Sequence, residues 1–298
     1  MKYEDFVSNL KTKVQQQAGK SVRVELRRVT KNNGIEMDGL SIIEENRRIS
    51  PMIYVGDYFK SYEEGASLAE LAAEILKVYE KTKIHVPIDP EFYTDFEKVQ
   101  DRIVCKLINY EKNRELLKRI PHLSCLDLAV VYYCMLDNPQ LGNGMILIYN
   151  SHLEMWNVSK EEIFERGRNN TQKLLPYEFQ GMGELLRDTL TEEELAFKEE
   201  AAQEQVPMFV LSNVKKYLGA ACILYDSILA EIGERIQDDF FVLPSSVHEV
   251  IIVPASSGAG QEDLEAMVRE INTTQVLPEE ILSDRVYYYD RKSHRLSL

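Results

Sequence analysis

Leu128-Ala129-Val130-Val131-Tyr132-Tyr133-Cys134-Met135-Leu136 is the longest uninterrupted apolar run of the chain. At nine residues it is about half the length that spans a bilayer. Its β-branched and aromatic side chains favour a strand, and apolar residues on both faces place that strand centrally in a sheet. A buried helix is the competing reading, which periodicity alone does not exclude. Ile103 to Asn109 on one side and Met145 to Tyr149 on the other have the same strand composition. Asn138-Pro139 through Gly142-Asn143-Gly144 supplies the turn into the latter. A domain organised around antiparallel or mixed sheets follows.

Outward toward the N-terminus, His85-Val86-Pro87-Ile88-Asp89-Pro90 interrupts regular structure, because each proline fixes its own backbone and restricts its predecessor. A boundary there separates an N-terminal α+β domain, 1–88, from a larger mixed α/β domain, 95–298. The first domain opens with a helix over 3–18, where Phe6, Val7, Leu10 and Val14 recur at helical spacing before Gly19. Val22 to Leu26 alternates as a strand, Asn32-Asn33-Gly34 turns the chain into a second strand near 35–43, and Met52 to Val55 is a third. A helix starts at Ser67: Leu68, Leu71, Ala72, Ile75, Leu76 and Tyr79 form one stripe, and Ser67 with Glu70 forms a capping box.

In the larger domain Ser159 and Glu162 open a second capped helix. Ile163, Phe164, Gly167, Thr171, Leu174 and Leu175 face inward, and Pro176 ends it. From Asp188 to Glu204 seven acids stand against one lysine, Lys198, with a poor apolar stripe, so 188–204 reads as a solvated acidic excursion. Strands follow at 208–211, 240–243, 248–253 and 286–289, with helices over 226–236 and about 261–271. The fold class is therefore mixed α/β (α+β), largely antiparallel or mixed sheets with packed helices.

The chain carries 35 basic and 49 acidic residues in 298, a formal charge of −14. Such a surface is unsuited to general nucleic-acid or anionic-membrane binding, both of which need basic side chains. The first residues hold no apolar core of a signal peptide. Cys105, Cys125, Cys134 and Cys222 form no C-x-x-C pair, which suits buried, reduced thiols in the cytoplasm. Neither these cysteines nor the dispersed His85, His122, His152, His248 and His294 have metal-ligand spacing, so no metal and no cofactor is expected. A protein partner or a homo-oligomer is left open.

Three stretches have the residue types of a site. Pro244-Ser245-Ser246-Val247-His248-Glu249 offers a nucleophile, a base and an acid. On a strand, however, Glu249 points away from the face shared by Ser246 and His248, so the acid must come from elsewhere. The serine also lacks a G-x-S-x-G elbow. Ser257 to Glu262 enters a helix through two glycines but has Asp263 where a dinucleotide fingerprint needs a third, so it reads as a loop. Gly142-Asn143-Gly144 and Gly181-Met182-Gly183 read as turn glycines. At the end of the 103–109 strand, Asn109, Tyr110 and Asn113 place hydrogen-bonding side chains in a loop, either as ligand-binding groups or as a turn that bonds its own backbone.

Leu107-Ile108-Asn109-Tyr110-Glu111-Lys112-Asn113, Asn170-Thr171-Gln172-Lys173-Leu174-Leu175-Pro176 and Leu243-Pro244-Ser245-Ser246-Val247-His248-Glu249-Val250-Ile251-Ile252-Val253-Pro254 carry a resemblance. Together they resemble the bacterial domain-of-unknown-function family numbered 5688, over nearly the whole chain after about residue 50. More remotely, residues from about 102 to 253 are similar to the YtpQ-like family. Neither resemblance implies an activity. The leading expectation is a binding or regulatory module without catalysis, with His248 held by local backbone or hydroxyl groups and no cleft before it. The alternative is a hydrolase using His248 with Ser246 or a distant carboxylate.

Overall fold

The structure is a computed structural model that describes residues 1–44, 50–83, 92–136, 144–187 and 206–298. It is mixed α+β with three antiparallel sheets. The chain divides into two compact units, the first holding Met1–Phe92 and the second Tyr93–Leu136 and Met145–Leu298. The break expected at 85–90, most of the turn at 138–144 and the acidic run at 188–204 lie outside the described residues. Among the described residues no helix is long and apolar enough to cross a membrane.

In the first unit a three-stranded sheet is built from β1 (Val22–Thr30), β2 (Glu36–Glu44) and β3 (Met52–Tyr54) in that order. Thr30 pairs with Glu36 across the loop, where Asn33 and Gly34 take φ of 61° and 70°. That left-handed backbone explains why asparagine and glycine stand there. The helix Tyr3–Ala18 buries Phe6, Val7, Leu10 and Val14. The helix Leu68–Thr82 buries Leu71, Ala72, Ile75 and Tyr79, while Leu68 and Leu76 are half-buried against the same core. Its start is the expected capping box: Ser67 Oγ accepts the Glu70 N–H, and Glu70 accepts the Ser67 N–H at 2.9 Å. A further helix, Gly56–Glu63, had no sequence signal of its own; its Phe59 ring packs 5.1 Å from that of Phe6.

The second unit holds the other two sheets. The first comprises β4 (Ile103–Asn109), β5 (His122–Cys125), β6 (Leu128–Met135) and β7 (Met145–Leu147). Strand β6 lies between β4 and β5 and also pairs with β7, so the run that opened the sequence reading is a central strand and not a buried helix. Just before it, Leu126 turns left-handed, at φ 56°, in a tight hairpin that pairs Cys125 with Leu128. One face of β6 buries Ala129 and Val131 against Ile108, Leu117 and Ile120. The opposite face carries Tyr132 under the helix Lys160–Leu174, where a Cβ at Gly167 would stand 2.5 Å from the tyrosine ring. Glycine there is what lets the helix lie on the strand. In that helix Leu174 is 38% exposed, against expectation, while Leu175 just beyond it is buried.

The other sheet has six strands in the order β13-β12-β10-β11-β9-β8. These are β8 (Tyr177–Gly181), β9 (Phe209–Asn213), β10 (Phe240–Leu243), β11 (Val250–Pro254), β12 (Tyr287–Asp290) and β13 (Arg295–Ser297). Gly181-Met182-Gly183 is not a free turn: Gly181 ends β8, and Met182 begins the helix Met182–Arg187. The helix Gln261–Thr274, N-capped by Gly260, packs Leu264 and Val268 against Leu243, Val253 and Val286. Asp127, in the β5–β6 turn, accepts hydrogen bonds from Ser283 Oγ at 2.6 Å and from the Tyr287 hydroxyl, and so ties one sheet of this unit to the other.

Candidate functional site

Between β10 and β11 the chain runs as an irregular segment. Residues 280–283 lie alongside it as a strap. The Val247 N–H donates to Glu280 O, Leu282 N–H donates to Ser245 O and Ser283 N–H donates to Pro244 O, each at 2.9 Å, and Ser246 bridges Ile281. The strap places Glu280 beside His248, which precedes β11 rather than opening it.

Two groups hold the imidazole. Nδ1 accepts the backbone N–H of Leu218 at 3.3 Å, and Nε2 lies 3.2 Å from Glu280 Oε1. An Nδ1 that accepts puts the proton of the neutral ring on Nε2, which therefore donates to the carboxylate. The turn that presents Leu218 is tight. A Cβ on the next residue, Gly219, would fall 2.5 Å from His248 O and 2.2 Å from Ser212 Oγ, so only glycine allows this approach. Ser212 Oγ in turn donates to His248 O at 2.8 Å, and the Tyr217 ring lies 5.5 Å from the imidazole.

Ser246 is buried, and its Oγ accepts the backbone N–H of His248 at 3.1 Å. The hydroxyl thus serves the turn, and the ring partners are Leu218 and Glu280 rather than the serine turn expected from sequence. The acid that a triad lacked in local sequence is Glu280, 32 residues on. The expectation of no cleft is overturned. His248, Glu249, Glu280, Lys216 and Ser246 line a cleft of about 540 Å³ together with Met182, Met208, Met267, Ile271 and Val276. That volume suits a small molecule.

The charged lining is mostly acidic. Lys216 is drawn into an ion pair with Glu178. Glu249 is half-buried, and its pKa is raised by burial first, lowered by His248, and raised again by Glu280. Its carboxylate makes no hydrogen bond among the described residues, which leaves it able to accept one.

Asn109, Tyr110 and Asn113 do not line this cleft. The Asn109 amide donates to Leu282 O at 3.0 Å while its Oδ1 accepts the Lys112 N–H at 2.9 Å. Asn113 donates back to Asn109 O at 2.8 Å, and the Tyr110 N–H donates to Asp127 O. These side chains close the strand-end turn and fasten it to the strap, which is a structural use of their polarity. Sequence reasoning missed Glu280, Lys216 and the methionines of the cleft, since they stand on separate elements with no motif linking them.

The model of a family of unknown function, DUF5688, matches residues 3–291. No curated protein and no solved structure matches the chain. The more remote YtpQ-like similarity has no support in these comparisons.

Proposed function

Because the chain belongs to the DUF5688 family, whose function is unknown, we infer a role from the cleft itself and propose a binding protein without catalytic turnover. Its His248 cleft receives an amphipathic ligand, the cationic end meeting Glu249 and Glu280 and the apolar body lying on the methionine wall. One observation carries this reading: both imidazole nitrogens are engaged, Nδ1 by Leu218 and Nε2 by Glu280. A general base needs a nitrogen free to take a proton from the nucleophile, with the orienting acid on the other nitrogen. Here the acid occupies Nε2, a backbone donor occupies Nδ1, and Ser246 Oγ is turned to the backbone. We also place the protein in the cytoplasm, supported by the free thiols of Cys105, Cys125, Cys134 and Cys222.

The hydrolase reading draws on one observation, a cleft that meets His248 with a carboxylate in hydrogen-bond reach. A calorimetric titration of the full chain with hexylammonium and with hexanoate separates the readings, together with a p-nitrophenyl acetate assay. The binding reading expects hexylammonium to bind, hexanoate to fail, and Glu249→Gln to weaken the amine about tenfold by losing a charge-assisted hydrogen bond. Tighter binding of hexanoate, or an ester hydrolysis that disappears in well-folded His248→Gln, would overturn it.

A further inference from the structure

Away from the His248 cleft, the second unit holds a half-open cavity of about 640 Å³. It lies among the helix Lys160–Leu174, β4, β6 and the helical turn Gly219–Leu224. Cys105, Val130, Tyr132, Phe164, Ala221 and Leu224 make its apolar lining. At the mouth, Arg168 Nε donates to Asp226 Oδ1 at 3.0 Å, and both side chains are more than half exposed. Arg168 and Asp226, paired with each other, and the exposed Glu165 complete the charged part of the lining.

The hydroxyl groups of the wall are unequally used. Thr171 Oγ1 accepts the Cys105 N–H at 2.8 Å and donates to Gly167 O. Tyr225 donates to Leu175 O at 2.7 Å. Tyr132 is 1% exposed; its hydroxyl meets no hydrogen-bond partner among the described residues and is not one of the fully buried partnerless atoms, so it keeps a small opening to the cavity. Nothing about its position is loose: the ring stacks on Phe164 at 5.1 Å and 25°, and it fills the space that Gly167 leaves. Burial holds the phenol above its ordinary range and pushes the Cys105 thiol up to about 12, so both stay neutral. A hydroxyl that meets a cavity without a protein partner is able to donate to or accept from a molecule seated there.

We propose that this cavity is a second binding site, for a small uncharged molecule with an apolar body and one hydroxyl or carbonyl that hydrogen-bonds Tyr132. A charged ligand is disfavoured on the apolar part of the lining around Tyr132, since Arg168 and Asp226 at the mouth are already paired with each other. The volume lies within the range of small-molecule pockets.

Phenol and toluene, nearly equal in shape and differing by a hydroxyl, test this on the full chain by ligand-observed NMR titration. The expected result is saturable binding of phenol about tenfold tighter than toluene, the size of one well-made hydrogen bond. In Tyr132→Phe the two probes should bind equally, and in His248→Gln the preference should be unchanged. Ala221→Leu, which fills the cavity from the opposite wall, should remove both. Absence of phenol binding to the folded protein overturns the proposal. So does a preference that survives Tyr132→Phe, or one lost in His248→Gln.

Discussion

At His152 the ring Nδ1 accepts the backbone N–H of Tyr149 at 3.0 Å, and at His248 the same atom accepts the N–H of Leu218 at 3.3 Å. From that shared start the two regions diverge. His152 also receives the Tyr93 hydroxyl at 3.1 Å and is walled by rings, with Tyr93 at 4.9 Å and Trp156 at 5.6 Å. Trp156 Nε1 closes the cluster by donating to Tyr93 O at 2.9 Å. His248 instead turns its other nitrogen to Glu280 at the edge of a cleft. The same acceptor geometry therefore serves as a fastener where aromatic surface surrounds it and, on the binding reading proposed above, as a recognition group where a carboxylate and open volume do. What lies beyond the imidazole decides its use.

The largest expected effect lies on the aromatic side. Trp156→Ala should cost about 3–5 kcal/mol in urea unfolding, since a mostly buried ring and its hydrogen bond are lost together. Met267→Ala, on the half-exposed wall of the cleft, should cost about 1 kcal/mol. Equal costs would erase the contrast between a packed cluster and an open site.

Acid provides the next test. Burial lowers the His152 pKa from 6.5, and a proton on Nδ1 would displace both of its donors. The folded state therefore binds this proton less readily than the unfolded chain. Its contribution to stability is complete above the ordinary histidine value and is lost as pH falls through the lowered one. Melting temperatures between pH 7 and pH 5 should show this fall, and His152→Gln should flatten it. A slope unchanged in that variant would assign the acid sensitivity to another group.

Smallest in energy is the effect at Glu249, where the sign reverses. Its raised pKa means the fold prefers the protonated acid, so the stability present below the ordinary carboxylate range is lost as pH rises through the raised value. Glu249→Gln should therefore stabilise the protein at pH 7, by about 1 kcal/mol or less, while weakening the amine. A variant that is both less stable and unaltered in binding would make Glu249 structural, and the two histidine regions would then be alike.

Legibility in the sequence followed the range of the interactions. The capping box at Ser67 and the stripe beneath it are set by residues three and four apart; the box stands as read, and four of the six stripe residues are buried, with Leu68 and Leu76 half-buried at its edge. The run from Leu128 was legible because a strand with two apolar faces has few other places to go. The β5–β6 hairpin was not, since a left-handed Leu126 breaks the usual preference of turns for glycine or asparagine. The site was half legible. Ser246 and His248 were visible as residue types, but the strap that delivers Glu280 pairs with 244–247 through backbone groups, which leave no trace in side-chain pattern. Asn109 and Asn113 were visible for the same reason and turned out to spend their amides on the turn.

The Asp127 tie has a consequence for how the chain is made. Its carboxylate sits in the turn that joins β5 to β6, and its two hydroxyl donors come 156 and 160 residues later. A ribosome working from the N-terminus therefore releases the whole β4–β7 sheet well before the groups that close this knot exist. Until Ser283 and Tyr287 arrive, the carboxylate has to stay wet, and the sheet's flank around it stays open with it. A nascent chain halted short of residue 283 would present that flank to whatever meets it first. The tie at this one aspartate therefore closes only after Ser283 and Tyr287 have been synthesised.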